Sequence, residues 1–227
     1  MVILRPVTVP RLSIDRDQCA FALLCRTYGE LAMRGSEVLD MRWRNSTSHY
    51  GAVALSLHWL TVALVIIAWA LGSFDDVLPR GPARAAGLLV HISAGIAIMA
   101  MLVVRLAWRA GDPPPPAETT PLGAWADRAG RLAHIALYAL LIAVPVSGIV
   151  VQFARGRALP LFGLYEIASP WMEDRAFARS VKEVHEILAN ALVILASLHA
   201  GAALFHHWVL KDRTLLRMLP RSAQSRP

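Results

Sequence analysis

Four long apolar runs, each ended by charge, glycine or proline, set the pattern of this chain. They fall at roughly 54–72, 87–108, 132–153 and 185–208. Each reaches the length of about 20 residues that a helix needs to cross a bilayer. Histidine is almost the only ionisable residue inside them, with Arg105 near the end of the second. The pattern predicts an all-α integral membrane protein, a four-transmembrane-helix bundle. Between the second and third runs, GDPPPPAETTP cannot continue a helix, and its prolines favour an extended spacer. Pro145 within the third run predicts a kink, and Gly148 a close approach by a neighbour or cofactor. The stretch from Arg155 to Lys182, with RGRALPLFGLYE and Ser169-Pro170, is long enough to fold over one end of the bundle.

Composition agrees with a membrane class. The chain of 227 residues is 56% hydrophobic, and its mean hydropathy of +0.47 is too high for an ordinary soluble domain. The formal net charge of +7 belongs to topology and anionic headgroups. Lys and Arg near the span ends number eleven on the side of the termini and seven on the other, leaving out the far amino-terminal stretch. The larger set runs from Arg42 and Arg44 through Arg105 to Arg131 and on to the tail. The smaller set holds Arg80, Arg84, Arg155, Arg157, Arg175, Arg179 and Lys182. The bias places both termini in the cytoplasm. No interleaved aromatic and basic surface points to nucleic acid.

The domain reading follows these runs. Residues 1–46 form a leader, irregular or an extension from an upstream start, with Met41 opening the working protein. Residues 47–221 form the membrane domain, and 222–227 a short tail. Cys19 and Cys25 both precede the first run and no Cys-x-x-Cys-His occurs. That excludes covalent c-type haem, so any haem here is b-type, held by ligation and packing.

Histidines carry the candidate chemistry, because a polar group inside a membrane is costly and marks function by default. His185 and His199 are fourteen positions apart on the fourth run. Fourteen helical steps return to within roughly 40° of the same face and climb about 21 Å. His58, near the start of the first run, is level with His199, and His91, near the start of the second, is level with His185. Two cross-bundle pairs result, one near each membrane surface. Paired axial imidazoles close a six-coordinate iron, which favours electron transfer over oxygen binding. A lone histidine on an apolar helix is more often a packing residue than a ligand; two on one face, each with a level partner, reverse that preference. His134 lies near the inner surface, where it competes with His58 or serves as an interfacial hydrogen-bond donor. His206 shares the His199 face about 10 Å further on, and a quinone, propionate or headgroup contact suits it. His207 and His49 read as interfacial, and Trp59, Trp108 and Trp208 fit an aromatic belt.

The ordered strings LSLHWLTVALVI, LLVHISAGI with MLVVRLAWR, AHIALYALLIAVPVSGIV, RGRALPLFGL, and VKEVHEILAN through LHAGAALFHHWVLKDRTLLRMLP resemble the bacterial cytochrome b561 family. The resemblance covers about residues 48–221. It implies two non-covalent haem b groups with axial ligands His58, His91, His185 and His199, in the bacterial inner membrane. It further implies a superoxide oxidase activity, oxidising periplasmic superoxide and reducing ubiquinone. On that model Arg155, Arg157 and Lys182 steer superoxide, and His134, His206, His207 and Arg105 contact quinone or haem propionates.

Two other functions are weighed. One is a cytochrome b subunit that links a partner dehydrogenase or hydrogenase to the quinone pool. The other is a haem-free, histidine-lined carrier of protons or metal ions. Against the carrier, Asp and Glu lie only in loops and at helix ends, apart from Glu186 beside His185.

Overall fold

The computed structural model describes residues 43–116, 118 and 121–219. The leader up to residue 42, with the proposed start at Met41, and the 222–227 tail lie outside the described residues.

Four helices carry the fold: α1 Ala52–Ser73, α2 Pro82–Gly111, α3 Ala124–Ala154 and α4 Arg175–Phe205. All four are long and apolar enough to cross a membrane. Their starts follow local chemistry. Pro82 opens α2, where its missing N–H costs nothing. The Asp174 side chain caps α4 by accepting from Phe177 N at 3.0 Å. α3 runs on through Pro145 to Ala154 rather than ending there. At its far end α4 passes into a π turn, His206–Leu210, closed by Lys211 in the left-handed conformation.

Each helix outruns its apolar run, most clearly α4, which begins at Arg175 rather than near 185. Hydropathy marks only the length that lipid covers, whereas a capped helix continues through polar sequence. His185 therefore lies about 15 Å along α4 and not at its mouth.

α1 packs mainly on α2, and α3 mainly on α4. α2 and α3 join these two hairpins, while α1 and α4 meet only sparingly. Ile98 and Leu102 of α2, Leu141 of α3 and Leu192 of α4 form the buried core, with Leu64 and Val65 of α1 against it. Gly95 faces Pro145 of α3, where an added Cβ would stand 3.9 Å from the Pro145 Cβ. Outside, Ile66, Ile135, Ile194 and Leu198 are exposed, the outward apolar surface that a bilayer would cover. This is a multi-pass membrane protein.

One departure from an all-helical reading occurs among the described residues. Within the Arg155–Lys182 connection, β1 (Leu159–Leu161) pairs antiparallel with β2 (Tyr165–Ile167). The turn between them holds Phe162 and Gly163 at φ 55° and 71°, the two left-handed positions of a tight hairpin. β1 packs on α2 and α3, so the connection covers that end of the bundle as its length implied.

The other end is clasped by polar contacts. Asn45 N donates to Asp112 Oδ2 at 2.9 Å, and Asn45 Nδ2 to the Asp112 carbonyl at 3.0 Å. Trp108 Nε1 shares Asp112 Oδ2, and Trp59 Nε1 donates to the Met218 carbonyl. Arg217, 6% exposed, reaches Pro116 O and Glu118 Oε1. The proline-rich spacer, without regular structure over 113–116, is thereby pinned to the chain after α4.

Candidate functional site

His91 of α2 and His185 of α4 meet at the hairpin end of the bundle. Their ring centroids are 6.1 Å apart, at 76° to one another. Each ring lies in a notch of a neighbouring helix built by the same device. His91 Nδ1 is 2.7 Å from the Ala68 carbonyl of α1. His185 Nδ1 is 3.0 Å from the Val144 carbonyl of α3, with Ser147 Oγ also at 3.0 Å. A carbonyl can only accept, so both Nδ1 atoms carry the proton and both Nε2 lone pairs are free for a metal. A main-chain acceptor on the far nitrogen is the usual way a ligating histidine is oriented.

Four residues after each carbonyl stands a glycine. A Cβ on Gly72 would lie 2.9 Å from His91 Cε1, and a Cβ on Gly148 3.1 Å from His185 Cε1. Any side chain there would fill the space that the imidazole occupies. Gly148 thus serves the close approach expected of it, and Gly72 does the same for the other ring.

The pair opens on a cavity of about 970 Å³, at the upper end of the range of about 300–1,000 Å³ for cofactor sites. Its wall includes Gly72, Gly87, Gly95 and Gly148, with apolar side chains such as Ile92 and Val144. Trp69 Nε1 donates to Asn190 Oδ1 at 3.1 Å, bridging α1 and α4. These residues fit a haem. Two imidazoles facing across one iron, with metal–nitrogen bonds of about 2 Å and ring centres about 1 Å further, put centroids about 6 Å apart. Among the described residues, no set of three or more His, Cys, Asp or Glu converges as a bare metal ion would require.

At the clasped end lies a second group: His58, Arg105, His134 and His199. The ring packed against His199 is that of His134, at 5.1 Å between centroids. His58 stacks edge-on with Trp59 at 5.4 Å. Arg105 Nη2 approaches His58 Nδ1 at 3.4 Å, and Arg105 Cζ lies 5.6 Å from the centre of the Tyr138 ring. The two histidine layers are separated by the Ile98, Leu102, Leu141 and Leu192 core.

His206 and His207 lie in the π turn beyond α4. His206 Nδ1 is 2.6 Å from Asp212 Oδ2, and Asp212 Oδ1 accepts from Thr214 N at 2.9 Å. Burial pushes the Asp212 carboxyl up, but the bonds from His206 and Thr214 bring it below the usual carboxylate range. His206 is therefore engaged in closing the end of the helix.

Arg155, Arg157 and Lys182 gather around a recess of about 290 Å³ beside the hairpin, with Arg175, Arg179 and Glu173. The same three cations also line the large cavity, so a positive rim leads toward the His91–His185 pair. Two of the cations in this region are already paired, Lys182 with Glu186 and Arg175 with Glu173. Sequence reasoning missed Ala68, Ser147 and Gly72, whose roles arise only when another helix is laid against them.

Comparison with known proteins adds an independent line. The family model described as "Prokaryotic cytochrome b561" matches residues 49–221. A protein of Yersinia pestis named "Probable superoxide oxidase CybB" is 37% identical over 76% of this chain and 96% of its own length. Two Escherichia coli proteins, "Cytochrome b561 homolog 2" and "Cytochrome b561 homolog 1", are each 34% identical. They cover 81% and 77% of this chain and 97% and 98% of their own lengths.

Proposed function

This chain belongs to the prokaryotic cytochrome b561 family, membrane cytochromes that carry b-type haem and transfer electrons, and we propose that it carries electrons from superoxide to ubiquinone. Two haems are proposed, one between His91 and His185 and one between His58 and His199. The observation that carries the reading is the matched pair of notches, which orient two imidazoles with free Nε2 atoms across one cavity. A similar protein named as a probable superoxide oxidase supports the choice of donor.

Bound haem supplies reversible one-electron chemistry. The chain supplies the rest. Arg155, Arg157 and Lys182 raise the local concentration of a small anion at the hairpin end, an effect of about 10–10³ on encounter rates where cations line a cleft. Two superoxide ions each give up one electron and leave as dioxygen. One ubiquinone takes both electrons with two protons and leaves as ubiquinol. We assign His134, His206 and His207 to that second half, as hydrogen-bond donors and proton carriers at the clasped end, and Arg105 as a hydrogen-bond donor to quinone or a haem propionate. The eleven-to-seven basic bias supports the clasped end, and with it both termini, facing the cytoplasm of a bacterial inner membrane.

The test is the purified full-length protein in detergent, given superoxide and a soluble ubiquinone. One ubiquinol should form for every two superoxide ions. The rate should fall with salt, and by about tenfold or more when Arg155, Arg157 and Lys182 are all changed to Glu. No quinol from the pure protein would end this reading and favour a subunit that takes electrons from a partner enzyme.

The inner ligand pair has a separate prediction, because His134 is the ring packed against His199. His58→Ala is expected to lose one haem component from the reduced-minus-oxidised spectrum, while His134→Ala retains both. The reverse result would transfer the ligand role to His134.

A further inference from the structure

Two guanidinium nitrogens are buried without a hydrogen-bond partner among the described residues, Arg217 Nε and Arg84 Nε. The first belongs to the clasp. The second belongs to the His91–His185 cavity, which Arg84 lines. Arg84 precedes His91 by seven residues on α2. Seven helical steps return to within about 20° of the same face and rise about 10 Å, so Arg84 stands two turns from His91 toward the hairpin end.

Its surroundings leave it one role unfilled. Arg84 Nη2 donates to the Leu78 carbonyl at 3.2 Å, which fixes the guanidinium without neutralising it. No carboxylate among the described residues pairs with it, whereas Lys182 on the same cavity is already engaged by Glu186. A buried N–H without an acceptor carries its full desolvation penalty, so the site is built for an acceptor from outside the chain. The acceptor that best satisfies a guanidinium is a carboxylate, through charge-assisted bonds. A haem is an apolar disc with two propionate carboxylates at one edge, and the cavity is mostly apolar with its cations at one rim.

We propose that Arg84 anchors a propionate of the haem held between His91 and His185, and that its charge raises that haem's reduction potential. The proposal rests on the reading of His91 and His185 as ligands. The physical basis is simple: reduction adds one negative charge to the site, and a fixed cation nearby in a poorly screened interior favours the reduced form.

The experiment is a potentiometric titration of the full-length protein in detergent, followed at the haem bands. His91→Ala identifies the component that belongs to this cavity. Arg84→Gln should lower that component's midpoint by the equivalent of about a tenfold change in the reduced-to-oxidised ratio, about 59 mV for one electron. The other component should stay fixed, and Arg84→Lys should recover most of the shift. An unchanged midpoint in Arg84→Gln, or an equal fall in Arg84→Lys, would overturn the assignment. Should Arg84→Gln fail to retain the haem, retention becomes the readout: loss of this component alone from Arg84→Gln, with Arg84→Lys retaining it, supports the anchor, and loss from both variants overturns it. Failure of the underlying ligand reading looks different, since His91→Ala would then remove neither component.

Discussion

Replacing His91 by alanine is expected to remove one low-spin b-type haem and leave the other, halving the haem content of the purified protein. His185→Ala should remove the same component. The expectation follows from the geometry of the hairpin end. Among the described residues, two imidazoles line the cavity and face each other with centroids 6.1 Å apart, and each is fixed by its own carbonyl. On the proposed reading of both as haem ligands, truncating one would leave a single imidazole where a low-spin iron needs two. The second histidine layer lies beyond the Ile98–Leu192 core, so its component should keep its bands and amplitude. The measurement is haem content per chain with the dithionite-reduced-minus-oxidised spectrum. Loss of both components, or of neither, would break the pairing of His91 with His185.

Gly72→Ala is expected to reproduce much of that loss without touching a ligand. The new Cβ would stand 2.9 Å from His91 Cε1, well inside the 3.5–4.0 Å or so at which carbon atoms pack comfortably. Relief requires the ring to leave the notch, which breaks its bond to the Ala68 carbonyl and turns Nε2 away. Loss of such an orienting contact costs about 10–100-fold in metal affinity. Haem of that component should therefore be retained about 10–100-fold less well when the detergent-solubilised protein is diluted against a haem scavenger. Gly148→Ala should act in the same direction more mildly, since its Cβ would meet His185 at 3.1 Å. Gly130→Ala is the control, because a Cβ there meets nothing within 4 Å, and alanine is the better helix former. An unchanged haem content in Gly72→Ala would show that the notch does not position His91.

Much of this site can be read from one dimension. The four runs mark the helices because a bilayer demands about 20 apolar residues per crossing. The levels of His91 and His185 follow from counting residues along antiparallel spans. Helix ends were less legible. α4 reaches back to Arg175, and polar sequence with a good cap gives hydropathy nothing to detect. The β1–β2 hairpin was also invisible, since strands of three residues leave no readable period. His206 has a partner that no local pattern announced: the chain turns back after the helix and presents Asp212 to it at 2.6 Å.

The sequence by itself determined where the four long apolar helices run and how far along them each of their histidines lies. Both are fixed by local quantities, apolar length and the rise of about 1.5 Å per residue. Only the tertiary structure decided which faces meet. Rotation of each helix about its axis is set by packing against its neighbours, and that rotation laid His91 on Gly72 and His185 on Gly148. It also assigned the proton to Nδ1 in both rings, turned Arg84 into the same cavity, and set His134 beside His199. These are relations between residues far apart in the chain, and no local pattern encodes the angle at which two apolar helices meet.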